Sequence, residues 1–270
     1  MEFSNKYILG FALAVCLVCS LAVSSLAVAL DERIDANKRL DQQLNILRVA
    51  GMIGADEKPS REEADALFGE GGVIETLIVS RTSGEVLEKP DFVGIDSMYR
   101  NSKAADTSTT TAELLEGTPA AADARKTQIA RLPDQLVIYH VTAPGKECYV
   151  LPFWGNGLWS TMKGFLAVES DLTTVKGLTY AEHGETPGLG GEVDNPNWKA
   201  QWPGKLLWGE DGAVDIDVVK AGTVKRPEHQ VDGISGATIT SVAVGASLRV
   251  WLGEYGYGSW FDRTAPEGTR

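Results

Sequence analysis

LVIYHVT (residues 136–142), ECYVLPFW (147–154), GFLAVE (164–169) and VKGLTYA (175–181) follow one another down a 270-residue chain, parted by turn-formers such as Pro144-Gly145 and Gly155-Asn156-Gly157. β-Branched and aromatic residues crowd each run, as a pleated and largely buried surface requires. Because these strands come in a block and do not alternate with helical stretches, the expected class is α+β with a mixed or antiparallel sheet. Upstream, ETLIVSRTSGEV (75–86) reads as a strand, a Ser-Gly turn and the start of another strand.

Helices are expected on both sides of this block. Ser60 with Glu63 three residues on forms a capping-box pattern, and Gly69, Gly71 and Gly72 mark that helix's end. A last helix is expected over 240–253, with Val242, Ala246, Val250, Trp251 and Leu252 available for packing. Residues 101–124 are rich in Ser, Thr, Ala and Asp, and read as a mobile insertion or a surface loop with one helical turn.

Tyr7 to Leu30 is an uncharged run of Ala, Val and Leu that would span about 36 Å as a helix, enough for a bilayer core. It is read as a retained anchor. Ala27-Val28-Ala29 offers a signal-peptidase exit, but the run is longer than a signal peptide's apolar region. Valines precede both Cys16 and Cys19, where a lipoprotein would carry a small residue. Lys6 and the terminal amine lie before the helix and Asp31 and Glu32 after it, which favours a cytoplasmic N-terminus and an extracytoplasmic body. Ile34, Leu40, Leu44, Leu47 and Val49 then continue as a stalk helix ending near Gly51. The organisation expected is therefore 1–30 anchor, 31–58 stalk and linker, and 59–270 main domain, with its core at 130–260.

A net charge of −12 argues against a nucleic-acid partner, which clustered Lys and Arg would have to recognise. The three cysteines leave no disulfide framework. Cys16 and Cys19 share a helix face inside the anchor, where small-residue packing is favoured over a metal held with partners from another subunit. Cys148 sits in a strand without a neighbouring His or Cys.

Two stretches carry chemistry. Asp232-Gly-Ile-Ser-Gly-Ala-Thr-Ile-Thr240 sets small residues and hydroxyls directly before the last helix. Gly236 and Ala237 let backbone approach an anion, the helix start offers free N–H groups and positive dipole, and Ser235, Thr238 and Thr240 add donors. An ordinary helix-capping loop has the same features. The second stretch, Glu182 to Gly190, contains His183 between Glu182 and Glu185, yet Gly184, Pro187 and Gly188 break any helix that could hold them as metal ligands. Glycines there suit backbone lying against a flat ring, with Trp159 as an aromatic wall; core filling explains Trp159 equally well.

Here a resemblance decides. Asp232-Gly-x-Ser-Gly-Ala-Thr238 resembles the flavinylation sequence of the FMN-binding domain shared by two respiratory complexes, and GLWSTMKGFLAVESDLTTVKGLTYAEHGETPGLGGEV (157–193) and LDQQLNILRVAGMI (40–53) are similar to the NqrC family of the sodium-translocating NADH:quinone reductases. The resemblance implies a membrane-anchored electron-transfer subunit with FMN esterified through its phosphate to Thr238. An unactivated Thr hydroxyl is a poor nucleophile, so a flavin transferase would make the bond; Asp232 and Gly233 would serve its recognition, or Asp232 would assist as a base. Trp159, Ser160, Glu185, Thr186, Gly188, Leu189, Lys220, Ser235, Gly236, Ala237 and Thr240 would surround the flavin; Lys220 is otherwise a solvated side chain. It also implies an inner-membrane location, a periplasmic main domain and partners among the other subunits of the reductase. An NADH site is not expected, for no strand-borne G-x-G-x-x-G precedes an acidic ribose ligand. The corresponding flavin-bearing member of the Rnf complex, which serves ferredoxin and NAD, shares the tether motif, and a non-redox anchored interaction module would need only the turn.

Overall fold

The structure is a computed structural model that describes residues 4–69 and 71–266. Met1, whose amine enters the orientation argument, lies outside the described residues. The chain forms two bodies, one up to Asp41 and one from Gln42 onward. The first consists of helix α1 (Asn5–Val49) as far as Asp41. Its apolar window has a mean hydropathy of 2.5 with none of it buried, and among the described residues it is the one helix long and apolar enough to cross a membrane.

The second body opens with the last turns of α1, where Gln43, Leu44, Ile46, Leu47 and Val49 are buried. Packing thus begins well before residue 59, the boundary drawn from sequence. Apolar periodicity marks where a helix stops, whereas the edge of a compact body depends on what that helix touches: a Cβ added at Gly177 would already lie 3.3 Å from the Val49 side chain. Next comes α2 (Arg61–Phe68), closed by the expected capping box: the Glu63 N–H donates to the Ser60 hydroxyl at 3.3 Å and the Ser60 N–H to the Glu63 carboxylate at 2.8 Å.

In chain order the remaining elements are β1 (Ile74–Ser80), β2 (Val86–Glu88), α3 (Ile95–Asn101), β3 (Ser108–Thr110), α4 (Thr111–Leu114), α5 (Pro119–Lys126), β4 (Arg131–Pro133), β5 (Gln135–Val141), β6 (Cys148–Asn156), β7 (Thr161–Glu169), β8 (Val175–Glu182), α6 (Pro196–Lys199), β9 (Asp217–Val219), β10 (Gln230–Asp232), α7 (Thr238–Leu252) and α8 (Ser259–Thr264). The main sheet is antiparallel throughout, in the order β2-β1-β5-β6-β7-β8. A parallel pair, β9 with β10, stands apart from it. Strands β5, β6 and β7 are covered along nearly their whole length, which is why they read as unbroken apolar runs and not as alternation.

Helix α7 seals the sheet at β6. A Cβ on Gly155 would stand 2.0 Å from the Ser247 hydroxyl oxygen, and the Trp251 indole donates to the Trp154 carbonyl at 2.7 Å. The hydroxyl of the fully buried Tyr257 donates to the Pro152 carbonyl at 2.8 Å. An aromatic cluster of Phe68, Phe92, Tyr139 and Phe165 packs mostly edge to face, joining α2 to the sheet.

The segment 101–124 is not an irregular loop but carries regular elements. It carries β3, which pairs with β4, and α4, whose N-cap Thr110 accepts from the Glu113 N–H at 3.3 Å. Helix α5 starts on Pro119 and is held by Asp123, which accepts from Arg249 of α7 at 2.7 and 3.1 Å. Arg249 also donates to Asp217 of β9. Composition could not reveal this order, because the partner that fixes α5 is 126 residues away.

Burial would raise the Asp123 carboxyl, but hydrogen bonds and charge from Arg249, then Lys126, outweigh it and hold its pKa below the usual aspartate range. A depressed folded pKa means stability that is present above the unfolded value and lost as pH falls through the folded one. Arg249→Leu should therefore cost about 2–4 kcal/mol at pH 7, because it strands two carboxylates, and should cost less near pH 3. Urea unfolding at both pH values measures it.

Candidate functional site

Three connections meet at one end of the sheet: the turn from β6 to β7 (157–160), the segment leaving β8 (183–190) and the link from β10 into α7 (233–237). Glu185 ties them together. Its side chain is buried, and its carboxylate accepts from the N–H groups of Leu158 (3.1 Å), Trp159 (2.9 Å) and Ser160 (3.3 Å) and from the Thr240 hydroxyl (2.7 Å). Burial alone would raise the Glu185 pKa; the Thr240 hydroxyl and the three N–H groups outweigh it and lower the pKa below the usual glutamate value. The carboxylate is an anion with its lone pairs directed at protein donors. Two glycines make room for it: a Cβ on Gly157 or Gly190 would come within 2.7 or 2.6 Å of its oxygens.

The link into α7 is a β-turn from Ile234 to Ala237, closed by the Ala237 N–H donating to the Ile234 carbonyl at 3.1 Å. Gly236 takes φ +78° at the third turn position, where a side chain would be strained. Ala237 is the N-cap and supplies no side-chain hydrogen bond. Thr238, the first helical residue, is exposed.

Leu158, Trp159, Glu185, Thr186, Leu189, Gly190 and the stretch 236–240 enclose a cavity of about 250 Å³. Trp159 is 70% exposed, Leu189 46% and Ile239 58%, so its rim is apolar and open to solvent. Of the residues expected at the site, Trp159, Glu185, Thr186, Leu189, Gly236, Ala237, Thr238 and Thr240 line this cavity together. The others stand outside its lining. Ser160 joins two of the loops by accepting from the Gly184 N–H at 2.7 Å. Gly188 supplies a left-handed turn at φ +76°, and Ser235 is an exposed turn residue. Lys220 is not among the residues lining the cavity, and its carbonyl accepts from the Thr223 N–H at 3.0 Å.

Asp232 and Gly233 hold the link from behind. The Asp232 carboxylate accepts from the Gly222 N–H at 2.7 Å, its carbonyl accepts from the Trp198 indole at 3.0 Å, and its N–H donates to Gln201 at 2.9 Å. A Cβ on Gly233 would meet the Val219 carbonyl oxygen at 2.3 Å. Leu158, Gly190 and Ile239 escaped the sequence reading, although each sits inside or beside a quoted motif. His183, Glu182 and Glu185 turn to separate partners: His183 to Asp194 at 2.7 Å, a hydrogen bond that raises the His183 pKa, and Glu182 to Lys163 at 2.7 Å.

The cavity has one polar end, at the uncapped start of α7, and an apolar remainder under Trp159 and Leu189. That pairing suits a flat apolar ring system bearing a phosphate. Glu185→Gln places an amide N–H₂ where backbone N–H groups need acceptors; it should lower stability by about 1.5–3 kcal/mol at pH 7, with the deficit shrinking as pH falls toward 3, by thermal unfolding.

Comparison with known proteins agrees with this chemistry. A family described as an FMN-binding domain matches residues 157–253. The NqrC protein of the Na(+)-translocating NADH-quinone reductase of Vibrio parahaemolyticus is 40% identical over 266 residues, covering 98% of this chain and 97% of that one. Its counterpart from Pseudomonas aeruginosa is 41% identical over 251 residues, covering 91% and 90%. Among solved structures, the crystal structure of NqrC from Shewanella oneidensis superposes with a TM-score of 0.70 at 29% identity, over 85% of this chain and 98% of that one.

Proposed function

The chain belongs to the NqrC family of the Na(+)-translocating NADH-quinone reductases, and from that premise we propose that it is the membrane-anchored, FMN-bearing subunit of such a complex, with the flavin phosphate esterified to Thr238. When bound, the flavin accepts and passes on single electrons between neighbouring redox centres; everything else at the site is positioning by this chain's own residues.

The observation that carries the reading is the situation of Thr238. It is an exposed hydroxyl at the start of a helix whose N-cap offers no side-chain acceptor, so the N–H groups of the first turn face the anion that the ester would leave beside them. Gly236 brings no side chain and Ala237 only a methyl group next to that anion. Trp159 and Leu189 bound the apolar part of the cavity and would hold the ring, with Leu158 and Ile239 completing its rim. Glu185, with all four of its hydrogen bonds made to the protein, fixes the Trp159 loop to α7 instead of contacting the flavin. Lys220, Ser160, Gly188 and Ser235 act as supports of the surrounding loops. The Thr238 ester requires a flavin transferase during maturation, and Asp232 and Gly233 would serve it by fixing the shape of the link.

The anchor would place the N-terminus in the cytoplasm and the main domain in the periplasm, because Lys6 precedes the apolar run and Asp31 and Glu32 follow it. A covalent tether suits that location, where a dissociated flavin would be lost to the exterior. The other subunits of the reductase would be its partners.

Full-length protein from a host with its flavin transferase, denatured and weighed, should exceed the polypeptide mass by one FMN less water, and Thr238→Ala should abolish that increment. An unmodified wild-type mass in such a host would reduce the motif to a turn. Trp159→Ala should keep the added mass but weaken the visible circular dichroism of the flavin, since the ring loses its aromatic wall.

A further inference from the structure

A helix beginning as α7 does is under-capped by ordinary standards. Ser, Thr, Asp or Asn normally fills the N-cap and accepts from the N–H two or three residues on. Here Ala237 occupies that place. The stabilising hydroxyl comes instead from Ser241, one turn inside the helix. Ser241 is 2% exposed; its Oγ accepts from the Ile234 N–H at 2.9 Å and donates to the Ala237 carbonyl at 3.0 Å. One side chain therefore grips both ends of the turn that delivers Thr238. The Ile234 N–H would otherwise be a buried donor without a partner. Space for this clasp is close-fitting: a Cβ on Gly233 would lie 3.3 Å from the Ser241 Cβ.

The arrangement separates two tasks that a conventional cap would merge. A Ser or Thr at the N-cap would satisfy the first-turn N–H groups and so compete with a phosphate for them. Ser241 secures the turn from behind and leaves those groups open. We propose that Ser241 is the positioning residue for flavin attachment, holding the Ile234–Ala237 turn so that the Thr238 hydroxyl is presented in one orientation to the flavin transferase; this rests on the tether reading above. In the step it serves, the Thr238 Oγ forms a bond to the FMN phosphorus of flavin adenine dinucleotide and the phosphoanhydride bond breaks. AMP departs, and the hydroxyl proton passes to a base on the transferase. Ser241 touches none of the reacting atoms. Its contribution is the fixed geometry of the acceptor, where a displacement of about 1 Å can cost on the order of a hundredfold in rate.

The test follows the gain in intact mass with time when full-length apoprotein, made in a host without flavin transferase, is mixed with transferase, flavin adenine dinucleotide and Mg²⁺ at a series of apoprotein concentrations. Ser247 gives the control: it is equally buried and makes the same kind of bond, to the Ala243 carbonyl at 2.8 Å, away from the turn. Ser241→Ala should lower the maximal rate of modification by about tenfold or more, with the half-saturating concentration little changed, while Ser247→Ala keeps the wild-type rate. Gly236→Ala, which strains the same turn at its third position, should slow modification likewise, and it decides the matter if Ser241→Ala fails to fold. A wild-type maximal rate in folded Ser241→Ala, or equal slowing in both serine variants, would overturn the positioning role. No added mass on wild-type protein would overturn the tether reading and this proposal with it.

Discussion

A single buried carboxylate organises the functional end of this molecule. Glu185 is removed from water, which alone would favour its protonated form, yet four donors converge on it and keep it ionised. Three of those donors are consecutive backbone N–H groups in the β6–β7 turn, and the fourth belongs to the first turn of α7. Satisfying one charge thus fixes the relative place of two segments distant in sequence, those holding Trp159 and Thr238. A neutral residue there would need fewer partners and would constrain less.

Fold and site are joined by the same use of donors. The antiparallel sheet provides rigid strand ends, and α7 is locked across β6 by the Trp251 indole and the close approach at Gly155. From that fixed helix the first turn projects free N–H groups toward the cavity. Behind it, Asp232 and Ser241 hold the entry link through their hydrogen bonds, and Gly233 does so through its lack of bulk. The exposed face keeps hydroxyl and apolar side chains for a ligand, and the buried face does the holding.

Arg249 shows the same logic at a distance from the site. It lies between Asp123 and Asp217, so α5, α7 and β9 share one charged junction. The segment 101–124, which composition marks as loose, becomes ordered through that junction and through the pairing of β3 with β4. Long-range partners supply what local propensity lacks.

Much was legible in the residues alone. The strand block showed itself because strands buried on both faces are continuously apolar. The anchor showed itself by length without charge, and the capping box by Ser60 and Glu63. These are local properties, set by neighbours within a few residues. What only tertiary structure decided is which residues line the cavity and which merely support it. Nothing in the sequence neighbourhood of Glu185 tells which donors its carboxylate meets; one of them, the Thr240 hydroxyl, lies 55 residues on. Asp232 likewise meets Trp198 and Gln201, partners the sequence does not place beside it, because its hydrogen bonds are satisfied between segments and not along one.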